Sequence, residues 1–272
     1  MPKIVHLSDL HFGRVDELLL QPLVDRVHAL SPEVVVVSGD LTQRARRDQF
    51  LQAQAFLSRL PHPQIVVPGN HDVPLYNVAA RFLWPLAGFT RHITDDLAPL
   101  YISPHMAVMG LNSARSLVVK NGRVNRRQLD QVRQSLCELD DGVVKVVVTH
   151  HPFDLPGQHE ADDLVGCAEE AMAAFSQCGV DVLLAGHLHT SHSTDTGGRY
   201  PLAGYEALAV SAGTATSTRG RGERNAFNLL RLQKDLVEVE RFEWTAARAS
   251  FDPSGVQRFQ RAARGWQPAP QA

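Results

Sequence analysis

The chain has 272 residues, of which 44% are hydrophobic, and a formal net charge of −2, the composition of a globular protein long enough to bury a large core. The near-neutral charge argues against a stable nucleic-acid partner, and no apolar run approaches the roughly 20 residues of a transmembrane segment. Three cysteines without C-x-x-C spacing, Cys137, Cys167 and Cys178, are typical of small buried hydrophobes in a cytosolic protein. The first residues lead straight into a strand with no visible signal peptide, so we expect a cytoplasmic location.

The first quarter of the chain alternates strands and helices. Apolar, mostly β-branched runs predict the strands, and the segments between them carry apolar residues at helical spacing. The predicted strands are 4–7, 34–37 and 65–67, and the predicted helices are 16–30 and 46–60. Pro22 is expected in the first turn of its helix, where a missing N–H is tolerated. This βαβαβ order predicts a parallel sheet whose strand carboxyl ends are the usual place for a ligand.

Later parts of the chain predict more strands, two further helices and a second sheet. An apolar cluster from Phe82 to Phe89, within residues 75–98, is interpreted as packing with partial cover of the site; a lid, a lipid chute or a dimer surface are the alternatives. Asn125 begins a helix, and Gln128 three residues on resembles a capping box. The remaining predictions are strands at 100–103, 106–111, 143–148, 181–185, 207–211, 226–232 and 235–244, and a helix at 168–178. Strand 106–111 and the three last strands are expected in a mixed or antiparallel sheet that faces the first.

Five short polar clusters follow apolar strands, and each contains Asp or His. They are Asp9-x-His11, Gly39-Asp40, Gly69-Asn70-His71-Asp72, Thr149-His150 and Gly186-His187-x-His189. Residues two apart on an extended backbone point to the same side, so each Asp/His or His/His pair is expected to converge. Buried Asp and His side chains without a cation would be unfavourable, and oxygen and nitrogen donors without Cys suit Mn²⁺, Fe or Zn²⁺. Seven candidate ligands favour two ions that share a carboxylate, an arrangement suited to phosphoester hydrolysis.

Together and in this order, the five clusters resemble those of the calcineurin-like metallophosphoesterases. The resemblance covers residues 4–189. It implies an α/β fold, a four-layer α/β/β/α sandwich of two mixed β-sheets flanked by helices, with residues 1–245 as the catalytic domain. Residues 246–272 are polar and are expected to form a C-terminal surface helix or strap with a frayed end.

The resemblance also implies a role for each residue of the clusters. The implied metal ligands are Asp9, His11 and His189 for one ion, Asn70, His150 and His187 for the other, and Asp40 bridging both. The implied cofactors are two ions, Mn²⁺, Fe²⁺/Fe³⁺ or Zn²⁺, and the implied mechanism is attack of a metal-bridging hydroxide on phosphorus. His71 and Asp72 are implied to be catalytic: His71 meets the phosphate, as Asn70 does, and protonates the leaving oxygen, while Asp72 orients His71. His151 is expected to support its neighbour without binding a metal.

Residues 6–13, 38–43 and 213–217 resemble the bacterial class III cyclic-nucleotide phosphodiesterases. This implies a small-molecule phosphodiester substrate such as 3′,5′-cyclic AMP. Three arginines in the following loop, Arg219, Arg221 and Arg224, are predicted to bind the substrate away from the phosphorus, and a plain surface loop is the alternative. A nucleotide-sugar-lipid diphosphatase of the UDP-2,3-diacylglucosamine type, a DNA exonuclease and a non-catalytic scaffold are the alternative functions, and a homodimer is left open.

Overall fold

In the computed structural model, two β-sheets pack face to face and helices cover both outer surfaces. The structure describes residues 1–117, 120–156, 163–219, 222–263 and 265–269. The predicted four-layer α/β/β/α sandwich of two mixed sheets flanked by helices is confirmed. None of the described helices combines the length and the apolar character that crossing a membrane requires.

The first sheet has seven strands in the order β13-β12-β11-β10-β1-β2-β3. Its strands are β1 Lys3–Leu7, β2 Val34–Ser38, β3 Gln64–Val67, β10 Ala226–Leu232, β11 Leu236–Thr245, β12 Ser250–Ala262 and β13 Gly265–Pro268. Strands β1, β2 and β3 are parallel, as the βαβαβ order predicts, and the late strands add to β1 in antiparallel pairs. The carboxyl ends of β1, β2 and β3 therefore lie at one edge.

The second sheet has six strands in the order β4-β5-β6-β7-β9-β8. Its strands are β4 Leu100–Ile102, β5 Met106–Gly110, β6 Val144–Val148, β7 Val182–Ala185, β8 His192–Asp195 and β9 Leu208–Ser211. The four central strands are parallel and the two edge strands are antiparallel to their neighbours. The predicted second sheet exists, but β10 and β11 were wrongly expected in it, because an alternating pattern does not reveal which sheet a strand joins.

Six α-helices are described. They are α1 Glu17–Leu30, α2 Arg47–Leu57, α3 Val78–Leu83, α4 Ala87–His92, α5 Arg126–Leu136 and α6 Ala168–Cys178. The capping box of α5 is confirmed, since the Asn125 side chain accepts from the Gln128 N–H and the Gln128 side chain accepts from the Asn125 N–H. Pro22 lies in the second turn of α1 and not in the first, because the Asp16 carboxylate caps the helix at the Leu18 N–H.

Three apolar layers fill the sandwich. Between the sheets, the β-branched strands pack their inner faces together, for example Val36 of β2 near Val146 of β6. On the outside of the first sheet, Leu23 of α1 and Phe50 of α2 are fully buried. Helices α5 and α6 bury their apolar faces on the outside of the second sheet. Both helix layers thus fix the strand ends from which the polar clusters extend.

The expectation that the three cysteines are unpaired buried hydrophobes is wrong. Cys137 at the end of α5 is bonded to Cys178 of α6, whereas Cys167 is a half-buried free thiol. Disulfides are typical of oxidising compartments, so the cysteines no longer support a cytosolic interpretation.

The C-terminal segment is not a surface helix but strands β12 and β13, and Trp266 is fully buried. Two arginines of this segment form ion pairs with the rest of the protein, Arg258 with Glu238 and Arg261 with Asp181. The boundary between residues 245 and 246 stays a prediction, although β11 and β12 pair along their length.

Candidate metal centre

The five polar clusters meet where the carboxyl ends of strands from both sheets face each other. Those after β1, β2 and β3 come from the first sheet, and those after β6 and β7 come from the second. Parallel strands place these ends at the same edge, so clusters far apart in sequence lie side by side. The structure therefore brings together the seven side chains that the sequence suggests as ligands.

One group of donor atoms comes from Asp9, His11, Asp40 and His189, which are all buried. The Nε2 atoms of His11 and His189 lie 3.2 Å apart. Asp9 Oδ1 lies 3.5 Å from His11 Nε2 and 3.3 Å from His189 Nε2. Asp40 Oδ2 lies 3.6 Å from His11 Nε2. Two oxygens and two nitrogens converge on one point, as around a divalent cation.

A second group lies on the other side of Asp40. Asn70 Oδ1 is 3.1 Å from both His150 Nε2 and His187 Nδ1. The second carboxylate oxygen of Asp40, Oδ1, lies 3.4 Å from His150 Nε2. Asp40 thus presents one oxygen to each group, which is the arrangement that a carboxylate bridging two ions requires.

Hydrogen bonds from outside orient the ligands. His150 Nδ1–H donates to the Ser38 carbonyl at 2.7 Å, which leaves Nε2 to face the centre. The backbone N–H of His71 donates to Asp40 Oδ1 at 2.8 Å, and the backbone N–H of His187 donates to Asp9 Oδ2 at 3.1 Å. Such supporting contacts fix which atom of each side chain is offered to a metal.

The electrostatics of the centre favour added positive charge. Burial disfavours the charged form of Asp9 and Asp40, yet the neighbouring imidazoles hold the pKa of both carboxyls below their usual range. Burial opposes a charge on His150 as well, but Asp40 and Asp9 raise the pKa of His150 to about 9. Asp9 Oδ1 is buried and has no hydrogen-bond partner among the described residues. A buried oxygen of this kind, within a donor set of carboxylates, amide and imidazoles, fits metal ions.

His151 touches the second group but is held away from metal binding. Its Nε2–H donates to the Lys120 carbonyl at 2.9 Å, and its Nδ1 accepts from the Ser113 hydroxyl at 2.8 Å. Both ring nitrogens are thus occupied, while the ring packs 4.7 Å from that of His187. This agrees with the expected supporting position.

His71 stands at the rim of the centre with one ring nitrogen facing inward. Its Nδ1–H donates to the Gln43 carbonyl at 2.9 Å, and its Nε2 lies 4.0 Å from Asp40 Oδ2. Burial lowers the pKa of His71, which favours the neutral ring. Nε2 then accepts from Arg219 Nη1 at 3.2 Å. The position suits a group that meets a bound phosphate rather than a metal.

The predicted contact between Asp72 and the His71 ring is wrong. The Asp72 carboxylate instead accepts four hydrogen bonds, from the backbone N–H groups of Leu41, Thr42 and Gly69 and from the Thr42 hydroxyl. Burial and the charge of Asp40 raise the pKa of Asp72 to about 6, whereas the four donors favour the carboxylate. Asp72 therefore braces the loops after β2 and β3, and the Gln43 carbonyl orients His71.

The three loop arginines differ in position. Arg219 reaches His71, as described above. Arg224 is an exposed side chain 4.0 Å from Glu243 on β11. Arg221 lies outside the described residues. A substrate-binding role for any of them stays a prediction.

Sequence reasoning missed Gln43, Arg44 and Tyr76. With its amide oxygen turned toward the guanidinium groups, Gln43 accepts from Arg44 Nη1 at 2.9 Å and from Arg219 Nη1 at 3.3 Å. Arg44 Nη1 also lies 3.2 Å from His71 Nδ1, and its guanidinium carbon lies 5.7 Å from the centre of the Tyr76 ring. The only signal in the sequence was that Gln43 and Arg44 directly follow the Asp40 cluster.

The segment after this site exposes several apolar side chains. Phe89 is buried in the same apolar layer as Phe50, as the packing interpretation expects. Phe82, Leu83 and Trp84 are more than half exposed, so packing was the wrong interpretation for these three. Arg81 is buried and ties α3 to the neighbouring loop through the Ser116 and Pro74 carbonyls.

Comparisons with known proteins agree with this geometry. A profile of the calcineurin-like phosphoesterase family matches residues 2–191. The chain is 24% identical to the uncharacterized protein YpbG of Bacillus subtilis over 68% of its own length, and the match spans 60% of YpbG. It is also 24% identical to the 3′,5′-cyclic adenosine monophosphate phosphodiesterase CpdA of Haemophilus influenzae, over 76% of this chain and 70% of CpdA.

Among solved structures, the purple acid phosphatase PPD1 of yellow lupin superposes with a TM-score of 0.69 at 11% identity, over 94% of this chain and 53% of the lupin chain. This likeness concerns the fold alone. The family profile covers well over half of the chain and includes all five polar clusters, and so the chain belongs to the calcineurin-like phosphoesterase family.

Proposed function

We propose that this protein is a metal-dependent phosphodiesterase that hydrolyses cyclic nucleotides such as 3′,5′-cyclic AMP, or similar small phosphodiesters, at a centre of two ions. The observation that carries the proposal is the division of seven donor side chains into two groups that share the Asp40 carboxylate. Asp9, His11 and His189 would hold one ion, and Asn70, His150 and His187 would hold the other.

Two bound ions would supply an activated water and would neutralise the charge on the phosphate. Substrate binding and protonation of the leaving oxygen would depend on the side chains around the ions. Arg219, whose Nη1 lies 3.2 Å from His71 Nε2, would bind the substrate beside the reacting phosphate, away from the phosphorus itself. His71 would act as the acid in its imidazolium form: Nε2–H would give its proton to the leaving oxygen, while Nδ1–H stays bonded to the Gln43 carbonyl. The negative charge of a bound phosphate would favour this protonated form over the neutral ring of the ligand-free site.

The choice of cyclic nucleotides is supported by the similarity to CpdA. A second candidate is a diphosphatase acting on a nucleotide-sugar lipid, and the exposed apolar side chains Phe82, Leu83 and Trp84 favour it. A DNA exonuclease is disfavoured by the net charge of −2, and a non-catalytic scaffold is disfavoured by the complete set of donor residues.

Further parts of the proposal follow from residue chemistry. Oxygen and imidazole donors fit Mn²⁺, Fe²⁺/Fe³⁺ or Zn²⁺, so these are the proposed ions. A cytoplasmic location and a homodimer remain predictions, and the substrate is proposed to be a small molecule rather than a nucleic acid.

A hydrolysis panel on the metal-reconstituted full chain tests the proposal. The substrates are bis-p-nitrophenyl phosphate, cyclic AMP, p-nitrophenyl phosphate as a monoester, and a UDP-lipid mimic. We expect hydrolysis of the first two in preference to the monoester, and loss of both activities on chelation. Turnover of the UDP-lipid mimic alone would favour the diphosphatase, and failure of the reconstituted protein on every substrate would contradict catalysis.

A further inference from the structure

Arg44 and Tyr76 lie on the outer side of His71, away from the metal ligands. The His71 ring faces Asp40 with Nε2, and its opposite nitrogen, Nδ1, lies 3.2 Å from Arg44 Nη1. The Arg44 guanidinium in turn lies over the Tyr76 ring, 5.7 Å from its centre. A substrate bound at the metal groups that extends outward past the His71 ring would therefore reach these two residues.

Arg44 supports the Tyr76 ring from one side. One of its nitrogens, Nη1, is engaged by the Gln43 carbonyl at 3.0 Å. Among the ion pairs found between described residues, none involves Arg44, so no carboxylate neutralises its charge within that part of the chain. The guanidinium lies over one face of the Tyr76 ring, where an uncompensated cation is attracted to the ring and holds it in place.

Tyr76 offers a ring that is both exposed and anchored. The residue is 74% exposed, so the ring face opposite Arg44 is open. The backbone before Tyr76 is held by the four hydrogen bonds of Asp72 and by the bond from Arg81 Nη1 to the Pro74 carbonyl at 3.1 Å. After Tyr76, the Asn77 side chain accepts from the Ala80 N–H at 3.0 Å. An exposed aromatic ring on an anchored backbone, next to a cation, is suited to stacking with a planar base.

We propose that Arg44 and Tyr76 form a nucleobase subsite, in which the base of a nucleotide stacks on the open face of Tyr76 while Arg44 supports the ring from its other face. This inference rests on the proposed function, because it assigns the substrate class of the same site. A single flat ring favours a base over an acyl chain, which requires an extended apolar groove to bury its length.

The test compares two ligands that differ only in the base. Binding of 5′-AMP and of ribose 5-phosphate to the metal-reconstituted full chain is measured by titration calorimetry. Wild type is expected to bind AMP more tightly. Tyr76→Ser should weaken AMP binding by about 5- to 100-fold, the range for loss of one stacked base, and should leave ribose 5-phosphate binding unchanged. Arg44→Met should weaken AMP binding by about 2- to 5-fold, as for an exposed cation–π contact.

Two variants serve as controls. Tyr76→Phe keeps the ring and should retain the preference for AMP. Val78→Ser alters an exposed residue of the same segment, which is 63% exposed, and should affect neither ligand. Equal affinities for the two ligands in wild type, or equal effects of Tyr76→Ser on both, would overturn the subsite. If Arg44→Met binds AMP like wild type, the part assigned to Arg44 is overturned.

The binding test is independent of turnover. A protein that hydrolyses no cyclic nucleotide but shows a Tyr76-dependent preference for AMP would contradict the proposed function and support the subsite. Hydrolysis of cyclic AMP with no effect of Tyr76→Ser on AMP binding would support the proposed function and contradict the subsite.

Discussion

Replacing His71 with alanine separates acid catalysis from metal binding. The backbone N–H of His71 donates to Asp40 Oδ1 at 2.8 Å, and this bond remains in alanine. The change removes the ring and its bond to the Gln43 carbonyl at 2.9 Å. A single hydrogen bond of this kind contributes about 1 kcal/mol to stability. We therefore expect His71→Ala to fold and to keep its ions.

The expected loss of rate is much larger than the expected loss of stability. Positioned acid catalysis contributes about 10²–10⁴-fold, which corresponds to about 2.7–5.4 kcal/mol of transition-state stabilisation. The assay compares kcat for cyclic AMP, whose leaving group is a poor alkoxide, with kcat for bis-p-nitrophenyl phosphate, whose leaving group needs little protonation. The loss should be large for the first substrate and small for the second.

His105→Ala is the matched control, since His105 is an exposed histidine in the turn between β4 and β5, away from the centre. It should keep wild-type rates on both substrates. Metal analysis accompanies both variants. An equal loss on poor and good leaving groups would refute the role of His71 as an acid, and a loss of bound metal in His71→Ala would assign it to metal binding instead.

The remaining predictions concern other residues of the site. Asp40→Asn removes the charge shared by the two donor groups, so metal analysis should show reduced occupancy of both ions; two retained ions with full activity would contradict a bridging role. Arg219→Ala should raise KM for cyclic AMP more than it lowers kcat, whereas Arg224→Ala, whose side chain lies near Glu243 on the surface, should match wild type in steady-state kinetics. Asp72→Ala leaves three buried N–H groups without their acceptor, which costs about 1–3 kcal/mol each. Urea unfolding of the metal-free protein should therefore show a free energy of unfolding lower by at least about 3 kcal/mol. A decrease below about 1 kcal/mol would mean that Asp72 does not brace the two loops.

The fold was largely predictable because its signals are local. Continuous β-branched strands alternate with helices, and this order alone specifies a parallel sheet. The late strands show the limit of such reasoning. Strands β10 and β11 form where they are predicted, but β10 joins the first sheet by pairing with β1, through contacts more than 200 residues apart such as Lys3 with Arg231. No local pattern encodes that partner.

The candidate site shows the same division between local and long-range information. Donor residues at strand ends could be identified because strand ends meet at one edge of a parallel sheet. The orientation of the His71 ring could not be predicted from the sequence, because its hydrogen-bond acceptor is the backbone carbonyl of Gln43, which any residue at that position would offer. Arg44 and Tyr76 were missed for a related reason: they are 32 residues apart, and only the folded loops bring them together.

Backbone conformation explains why the motifs combine glycine with the ligands. Five of the candidate ligands adopt positive φ angles, which non-glycine residues rarely do: Asp9 at 53°, His11 at 53°, Asp40 at 51°, His187 at 72° and His189 at 59°. Each such residue costs about 1–2 kcal/mol relative to a right-handed conformation. The left-handed backbone conformation turns the chain sharply after each strand and points the side chains inward.

Gly69 and Gly186 have a different purpose, whereas Gly39 beside Asp40 itself adopts a positive φ of 90°. Gly69 has an extended backbone with φ −103° and ψ −177°, so it does not supply conformational freedom. A Cβ at Gly69 would lie 2.1 Å from Asp40 Oδ1, and one at Gly186 would lie 1.8 Å from the Ser8 hydroxyl oxygen. Glycine therefore provides room for neighbouring loops to approach, while Asp and His accept the strained conformation. The strained ligand residues lower the stability of the protein, and the packing of the sandwich around them offsets this cost. A loosely held loop would relax to an unstrained backbone and separate the two donor groups.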